Sequence, residues 1–456
     1  MGVEAVADLT DTVSQGLAGN QILGRTGPPS LSRSEIEDIH RLLPYLSYSD
    51  GGLTIDGSPV ADLWDGSRPT LVYLPGRAVD NYHCIRKAFA RYFDVSVYCT
   101  VKTCYVSGML SALRAAGAGA EIASDLEWRI ARAVGFSPER TVANAVCRSP
   151  QHLDRLLAER TTLIGIDGEE ELERCEWHAK QLGVRPRVMI RVNPLPPDAF
   201  FSERSKLGTE WDEAHRLLER AARSSEVDLC GAHAHQLVRC ADPEAFGRLA
   251  GRMGELASDY GTASGKRLEF LNLGGGIEYR FLLERAGEPI DHFAAAAHDA
   301  LAGAPGGFRL LLEPGRFVFG DAAVVLTGVP GTRRKADADW LITDVGCNVL
   351  PPTSDRAYPP LPLRLTVDQS WRRCHVADST PQPSRLYLDA LLPDDAAEHG
   401  LALIGCGAYT AVRASLWGTD LPDIVIVDAG RRETVFDRVG QDAAIRHLYG
   451  IDLDGF

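Results

Sequence analysis

Residues 97–102 read Val-Tyr-Cys-Thr-Val-Lys. Five residues suited to a buried strand end in a lysine, a side chain that is almost never fully buried without a purpose. Two readings stand open on this stretch alone. In one, Lys102 snorkels its ammonium to water from a strand end. In the other, it is a desolvated amine able to form a Schiff base with a carbonyl cofactor or substrate. The chain on either side has to separate them.

From Val97 onward a rhythm sets in. Apolar runs rich in small or β-branched residues alternate with amphipathic helical patterns. The runs predict strands over Val97–Lys102, Ala120–Ser124, Thr141–Val146, Leu163–Ile166, Val188–Val192, Leu229–His235, Phe270–Leu273 and Leu310–Glu313. Helices are expected between them, with Ser124 or Asp125, Ser149, Asp167 and Asp242 as N-terminal caps. Gly117, Gly135 and Gly183 are expected to cap helix C-termini. Strands and helices alternating in this number over residues 81–320 point to a (β/α)8 barrel. A doubly wound sheet is the runner-up, because a strand count does not reveal closure.

After Gly320 the rhythm changes. Short strand patterns succeed one another without helices, and prolines crowd residues 351–383. A C-terminal antiparallel β domain is expected over residues 321–456. Residues 36–80, with a hairpin turn at Asp50-Gly51-Gly52, read as N-terminal strands joining it, and residues 1–35 as a loose leader.

Net charge is −14 with no basic run, which argues against nucleic acid as a partner. The ten cysteines are scattered without C-x-x-C spacing, so they read as reduced. The acidic start Met-Gly-Val-Glu-Ala lacks the apolar core of a signal peptide. No apolar stretch approaches the roughly 18 residues a membrane span needs. A cytoplasmic protein without membrane contact is expected.

A barrel places its chemistry at the C-terminal ends of its strands. Those ends carry Lys102, Arg191, the His233-Ala234-His235 triplet, Gly274-Gly275-Gly276 and Glu313-Pro314-Gly315-Arg316. Loops after strands seven and eight commonly hold phosphate, and consecutive glycines let backbone N–H groups approach an anion. Arg316 adds a charged donor. A carboxylate beside that loop suits a ligand that also carries a cationic ring nitrogen. A lysine, a phosphate cradle and a carboxylate are the parts that pyridoxal phosphate requires.

With these parts in order, the chain resembles the fold-type III pyridoxal-phosphate-dependent decarboxylases, the group of diaminopimelate and ornithine decarboxylases. The resemblance runs from about Leu46 to the end. It rests on V-Y-C-T-V-K, Ala118–Ser124 (A-G-A-E-I-A-S), R-V-N-P, Ser205–Gly208 (S-K-L-G), H-A-H, Leu271–Gly276 (L-N-L-G-G-G), E-P-G-R and Gly407–Thr410 (G-A-Y-T). It implies Lys102 as the Schiff-base lysine, His235 stacked on the cofactor ring and Glu313 at the pyridine nitrogen. Phosphate falls to Gly275, Gly276, Gly315, Arg316 and Tyr409. A homodimer with shared active sites is also implied. Arg191 and Asp355 are candidate substrate contacts, and His233 reads as a structural hydrogen-bond donor.

Two departures stand out. Leu237 and Val238 replace the Gly-Ser that often follows the stacking histidine, which removes a hydroxyl donor. Ser379 or Thr380, in D-S-T-P-Q-P-S, stands where the family carries a catalytic cysteine, and no acid follows. The expected activity is decarboxylation of an amino acid or amino-acid-like substrate in a specialised biosynthetic pathway. Two alternatives remain: a metal-dependent hydrolase barrel using His233 and His235, and a pyridoxal-phosphate racemase or binding protein. Glu313 argues against the racemase, which generally places an arginine at the ring nitrogen. No metal is assigned.

Overall fold

The structure, a computed structural model, describes residues 29–195, 206–335 and 338–453. The proposed leader falls largely outside the described residues, as does Ser205 of the S-K-L-G marker. The chain divides into two compact units. One is made of Asn81–Lys102 and Leu113–Val318; the other of the described residues up to Asp80, Thr103–Ala112 and the chain from Phe319.

The first unit is a closed barrel of eight parallel strands. They are β1 (Val95–Thr100), β2 (Gly119–Ile122), β3 (Thr141–Ala143), β4 (Leu163–Ile166), β5 (Arg187–Arg191), β6 (Asp228–His233), β7 (Phe270–Asn272) and β8 (Arg309–Leu312). β8 pairs with β1, which closes the ring and excludes the doubly wound sheet. Several strands stop one to three residues short of the expected ends. Lys102 is the clearest case: it lies in a short 3-10 turn, Val101–Thr103, two residues beyond the last strand residue. Apolar runs continue past the ladder because the connections leaving the strands are themselves buried.

Local signals explain the helices. Ser124 Oγ accepts from Glu127 N at 3.2 Å at the start of Asp125–Val134, and Gly135 ends it at φ +91°. Asp242 likewise caps Pro243–Ser264. Asp167 does not cap Glu169–Leu182: Gly168 occupies that position, and Asp167 accepts from Gly208 N instead. A helix that the pattern did not reveal, Arg280–Ala286, follows β7.

Seven strands send a side chain into one buried cluster: Tyr98, Val142, Leu163, Met189, Cys230, Phe270 and Leu311. β2 contributes Gly119 opposite Tyr98, because a Cβ there would collide with the Tyr98 ring. This layer fills the barrel, leaving chemistry to the strand ends.

The second unit is the expected β domain, mostly antiparallel, with two parallel pairs added. Its six-stranded sheet runs Pro360–Pro362, Leu401–Ile404, Ala323–Thr327, Thr70–Tyr73, Asp423–Asp428, Arg431–Phe436. Thr70–Tyr73 pairs with Asp423–Asp428 in parallel. A four-stranded sheet contains a second parallel pair, Asp339–Thr343 with Trp371–Asp378. The sheets are therefore mixed, since strands distant in sequence are free to enter in either direction. The N-terminal strands also split. Thr70–Tyr73 joins the large sheet, whereas Leu46–Ser49, Gly52–Ile55 and Ser58–Pro59 form a sheet of their own. Asp50 (φ +50°) and Gly51 (φ +79°) make the left-handed turn of that hairpin. The helix Arg438–Tyr449 was also not expected. Thr103–Ala112 belongs here rather than with the barrel: Thr103 O accepts from Tyr409 N at 3.2 Å.

All ten cysteines are free. Among the described residues no helix is long and apolar enough to cross a membrane.

Within the second unit the Asp321 carboxylate, 1% exposed, lies 2.8 Å from Arg77 Nη2. Replacing Asp321 with Ala would leave that guanidinium buried without its charge partner. A loss of about 3–5 kcal/mol in urea unfolding is expected; a loss under about 1 kcal/mol would show that water relieves Arg77.

Candidate active site

Glu313, the residue after β8, is 1% exposed and surrounded by donors. Its Oε1 accepts from Asn144 Nδ2 and Asn272 Nδ2, both at 2.6 Å. Its Oε2 lies 3.4 Å from His233 Nε2. Burial alone would push the carboxyl up; His233, the Asn272 amide and the Lys102 charge outweigh it and hold the group well below the usual carboxylate range. Room for this arrangement comes from glycine. A Cβ on Gly165 of β4 would collide with Asn144 Oδ1.

Lys102 Nζ donates to Glu121 Oε2 at 2.6 Å. Glu121 is 1% exposed, the Lys102 side chain 34%. Burial pushes the Glu121 carboxyl up, against the pull of Lys102. A half-buried strand-end lysine thus pairs with a buried carboxylate.

His235 is partly exposed and packs on the glycine loop: a Cβ on Gly274 would meet its Cβ at 3.0 Å and its Nδ1 at 3.1 Å. Burial, then the Lys102 charge, hold its imidazole down to about 3, so it is a neutral ring. His233 and His235 are 6.5 Å apart with rings nearly perpendicular. Gly274 and Gly276 have φ of +65° and +89°, and Cβ atoms on all three glycines would strike backbone carbonyls of Ala234, Glu313 and Leu237. The loop therefore brings bare backbone to the strand ends.

Beside it, Glu278 is fully buried. Its Oε2 accepts from Arg239 Nε at 2.8 Å, and its Oε1 lies 3.6 Å from Arg316 Nε. Two guanidinium groups flank one carboxylate next to three glycines. Arg239 follows Val238, the position that lacks a hydroxyl. Gly315 precedes the short helix Arg316–Phe319. Arg191 at the end of β5 is buried and faces Asp167 Oδ1 at 3.4 Å.

The remaining candidates belong to the second unit. Tyr409 adopts φ +62°. Asp355 Oδ1 lies 3.2 Å from Arg385 Nη2. Ser379 is exposed and Thr380 buried. Thr380 Oγ1 donates to Asp378 Oδ2 at 2.7 Å and lies 3.3 Å from Cys347 Sγ. Cys347, 32 residues upstream in D-V-G-C-N, also donates its thiol to Gln382 Oε1 at 3.0 Å. The local sequence around Ser379 gave no sign of this thiol.

The residues that sequence reasoning missed are Glu121, Asn144, Asn272, Arg239, Glu278 and Cys347. Asn144 and Asn272 end apolar runs in T-V-A-N and F-L-N, and Glu121 interrupts one in A-E-I-A. Glu278 and Cys347 are brought in by loops.

Comparison with known proteins identifies the family. The family model for the pyridoxal-dependent decarboxylase, pyridoxal binding domain, matches residues 76–320. A diaminopimelate decarboxylase of Aquifex aeolicus is 27% identical over 378 residues, covering 80% of this chain and 88% of the relative. One from Pseudomonas aeruginosa is 28% identical over 371 residues, covering 79% and 81%. The crystal structure of diaminopimelate decarboxylase from M. jannaschi superposes with a TM-score of 0.79 at 20% identity, covering 88% of this chain and 98% of that one. The chain belongs to the pyridoxal-dependent decarboxylase family. It is a pyridoxal-phosphate enzyme, a carboxy-lyase of the diaminopimelate/ornithine type.

The donor set fits that cofactor. A carboxylate held anionic by three donors suits a protonated ring nitrogen, and a bare-backbone loop beside two arginines suits phosphate. The ligand atoms of His233, His235 and Glu313 also lie within 4.8 Å of one another, the spacing of a metal site. Family membership decides against the hydrolase.

Glu313→Gln keeps the shape and removes the charge. It is expected to retain cofactor, read by its visible absorption, while turnover falls by more than about tenfold, or about 1.4 kcal/mol in barrier. Turnover within about threefold of wild type would remove Glu313 from the electron-sink role.

Because burial holds His235 neutral down to about pH 3, its ring resonances in cofactor-free protein are expected to stay constant from pH 5 to 8. An inflection in that window, followed by NMR, would contradict the neutral ring.

Proposed function

We propose that the enzyme decarboxylates an α-amino acid whose distal end is not a free ammonium group. The observation that carries this reading is the state of the second unit's acids. Asp378 accepts from Thr380, Ser384 and the Cys347 backbone, at 2.6–2.7 Å. Asp355 faces Arg385. No acid follows Ser379-Thr380 in the chain. Among the described residues, Asp355 faces a cation and Asp378 holds three neutral donors, and this arrangement supports a modified or larger amino acid over ornithine or meso-diaminopimelate.

When bound, the cofactor supplies an electron-withdrawing ring that accepts the negative charge left by loss of carbon dioxide. Lys102 supplies the amine of attachment. Glu121 shares the proton at Lys102 Nζ, so a neutral amine is reached without losing that proton to bulk water. Glu313 holds a proton on the ring nitrogen, with Asn144, Asn272 and His233 fixing the carboxylate. His235 offers a neutral flat face. Gly275, Gly276, Gly315 and Arg316 are assigned to the phosphate, with Arg239 added in place of the hydroxyl that Val238 lacks. Arg191 is a candidate contact for the substrate carboxylate. For proton return, Cys347 is the thiol that Ser379 and Thr380 lack, and Thr380 is its positioning partner.

A second reading, diaminopimelate itself, is favoured by the printed names of the relatives. Carbon dioxide release from a panel of amino acids separates the two. Weak turnover of ornithine and meso-diaminopimelate is expected; kcat/KM above about 10⁴ M⁻¹ s⁻¹ on meso-diaminopimelate would establish the second reading instead.

Borohydride reduction of the holoenzyme is expected to fix the cofactor on one peptide containing Lys102. Attachment at any other lysine would overturn the assignment.

A homodimer with shared sites is part of the proposal, supported by the family resemblance. Mixing Lys102→Ala subunits with subunits altered across Ser379–Ser384 should then restore partial activity through one intact hybrid site. A monomer in ultracentrifugation, or mixtures as inactive as their parents, would argue for self-contained sites.

A further inference from the structure

At the N-terminal ends of β8, β1, β2 and β3, which are neighbours in the barrel, lies a cavity of about 460 Å³. This is the end of the barrel remote from the catalytic strand termini. Its wall includes Arg86, Arg140 and Arg309, from three separate elements, with the tyrosines Tyr82 and Tyr98. One carboxylate, Glu139, lines it as well.

The charges are unequal in their pairing. Arg309 Nε donates to Asp94 at 2.8 Å. Arg140 donates to the Gly117 carbonyl, a neutral partner. Arg86 has no carboxylate partner among the described residues. In a chain of net charge −14, an excess of arginine around one concavity is a local inversion of sign.

The tyrosines supply an independent observation. Tyr82 is 2% exposed and Tyr98 9%. Among the described residues neither hydroxyl has a hydrogen-bond partner in the protein, and neither hydroxyl is fully buried, so both are open to the cavity. The Tyr82 hydroxyl and Arg140 Nη2 both converge on the space above Gly117, lying 3.8 and 4.0 Å from where a Cβ would stand. Gly117 and Gly119 keep that space open. Burial pushes the Tyr98 hydroxyl up, while Arg140, Arg309 and Arg187 act on it in the opposite sense. It therefore remains a donor that faces positive charge.

We propose that this cavity binds a small phosphorylated anion. Arg86 and Arg140 would meet the phosphate by charge-assisted hydrogen bonds, and the two tyrosine hydroxyls would donate to its remaining oxygens. Guanidinium groups match phosphate oxygens in geometry as well as in charge. Arg309, held by Asp94, fixes the rim. The volume admits a diphosphate or a phosphorylated sugar and lies within the range of small-molecule sites. No residue of the cavity belongs to the proposed catalytic set, so the inference stands apart from the substrate assignment.

The test is calorimetric titration of the full-length holoenzyme, whose cofactor site is filled, with pyrophosphate and separately with citrate. Pyrophosphate is expected to bind one per chain with a dissociation constant below about 1 mM. The Arg86→Ala/Arg140→Ala double variant should lose at least about tenfold in affinity, and Tyr82→Phe about threefold, with the cofactor absorption unchanged. Because the double variant removes a contact to Gly117, Arg86→Ala alone, at an exposed position, and Tyr82→Phe, which keeps the ring, serve if it does not fold. The proposal is overturned by absence of saturable heat up to about 10 mM, by binding that the variants leave untouched, or by citrate binding without pyrophosphate.

Discussion

A single buried carboxylate organises the barrel's catalytic end. Glu313 lies where burial alone would protonate it, and the His233 ring at 3.4 Å, two amide donors and the Lys102 charge keep it charged. Asn144 follows β3, His233 ends β6 and Asn272 ends β7. Each must stand in register for the charge to be tolerated, because a lone buried carboxylate costs several kcal/mol. The ring of strands and the ion it surrounds are thus mutually dependent. Asn272 extends the dependence by accepting from Gly274 N, so the carboxylate's own partner also shapes the glycine loop.

The two charged pairs at this end differ in kind. Glu313 is held anionic by neutral amides and an imidazole. Glu121 has only Lys102 opposing a full burial penalty, and its carboxyl is pushed up. One carboxylate is thereby fixed in charge and the other is ready to exchange a proton with its lysine. Two carboxyls in one barrel end, with environments driving them apart, divide the labour between holding and moving protons.

The barrel was legible in sequence because its strands are buried on both faces and read as unbroken apolar runs between capped helices. Lys102, His235, Glu313 and Arg316 stood out as polar residues punctuating those runs. Asn144 and Asn272 punctuate them equally, but an uncharged amide is ordinary at a strand end, and only the fold shows that both face one carboxylate. The mixed sheets were less legible. Thr70–Tyr73 finds a parallel partner more than 350 residues away, at Asp423–Asp428, and no local pattern encodes such a pairing. Cys347 was invisible for the same reason: its neighbour in space, Thr380, is 33 residues distant on another strand's end.

The acids of the second unit bear on what such a site can select. Specificity for a cationic substrate end needs a carboxylate whose charge is unspent before binding. Asp378 spends its acceptors on two hydroxyls and a backbone amide, and that network in turn sets the Thr380 hydroxyl against the Cys347 thiol. That carboxylate builds the local structure around a thiol.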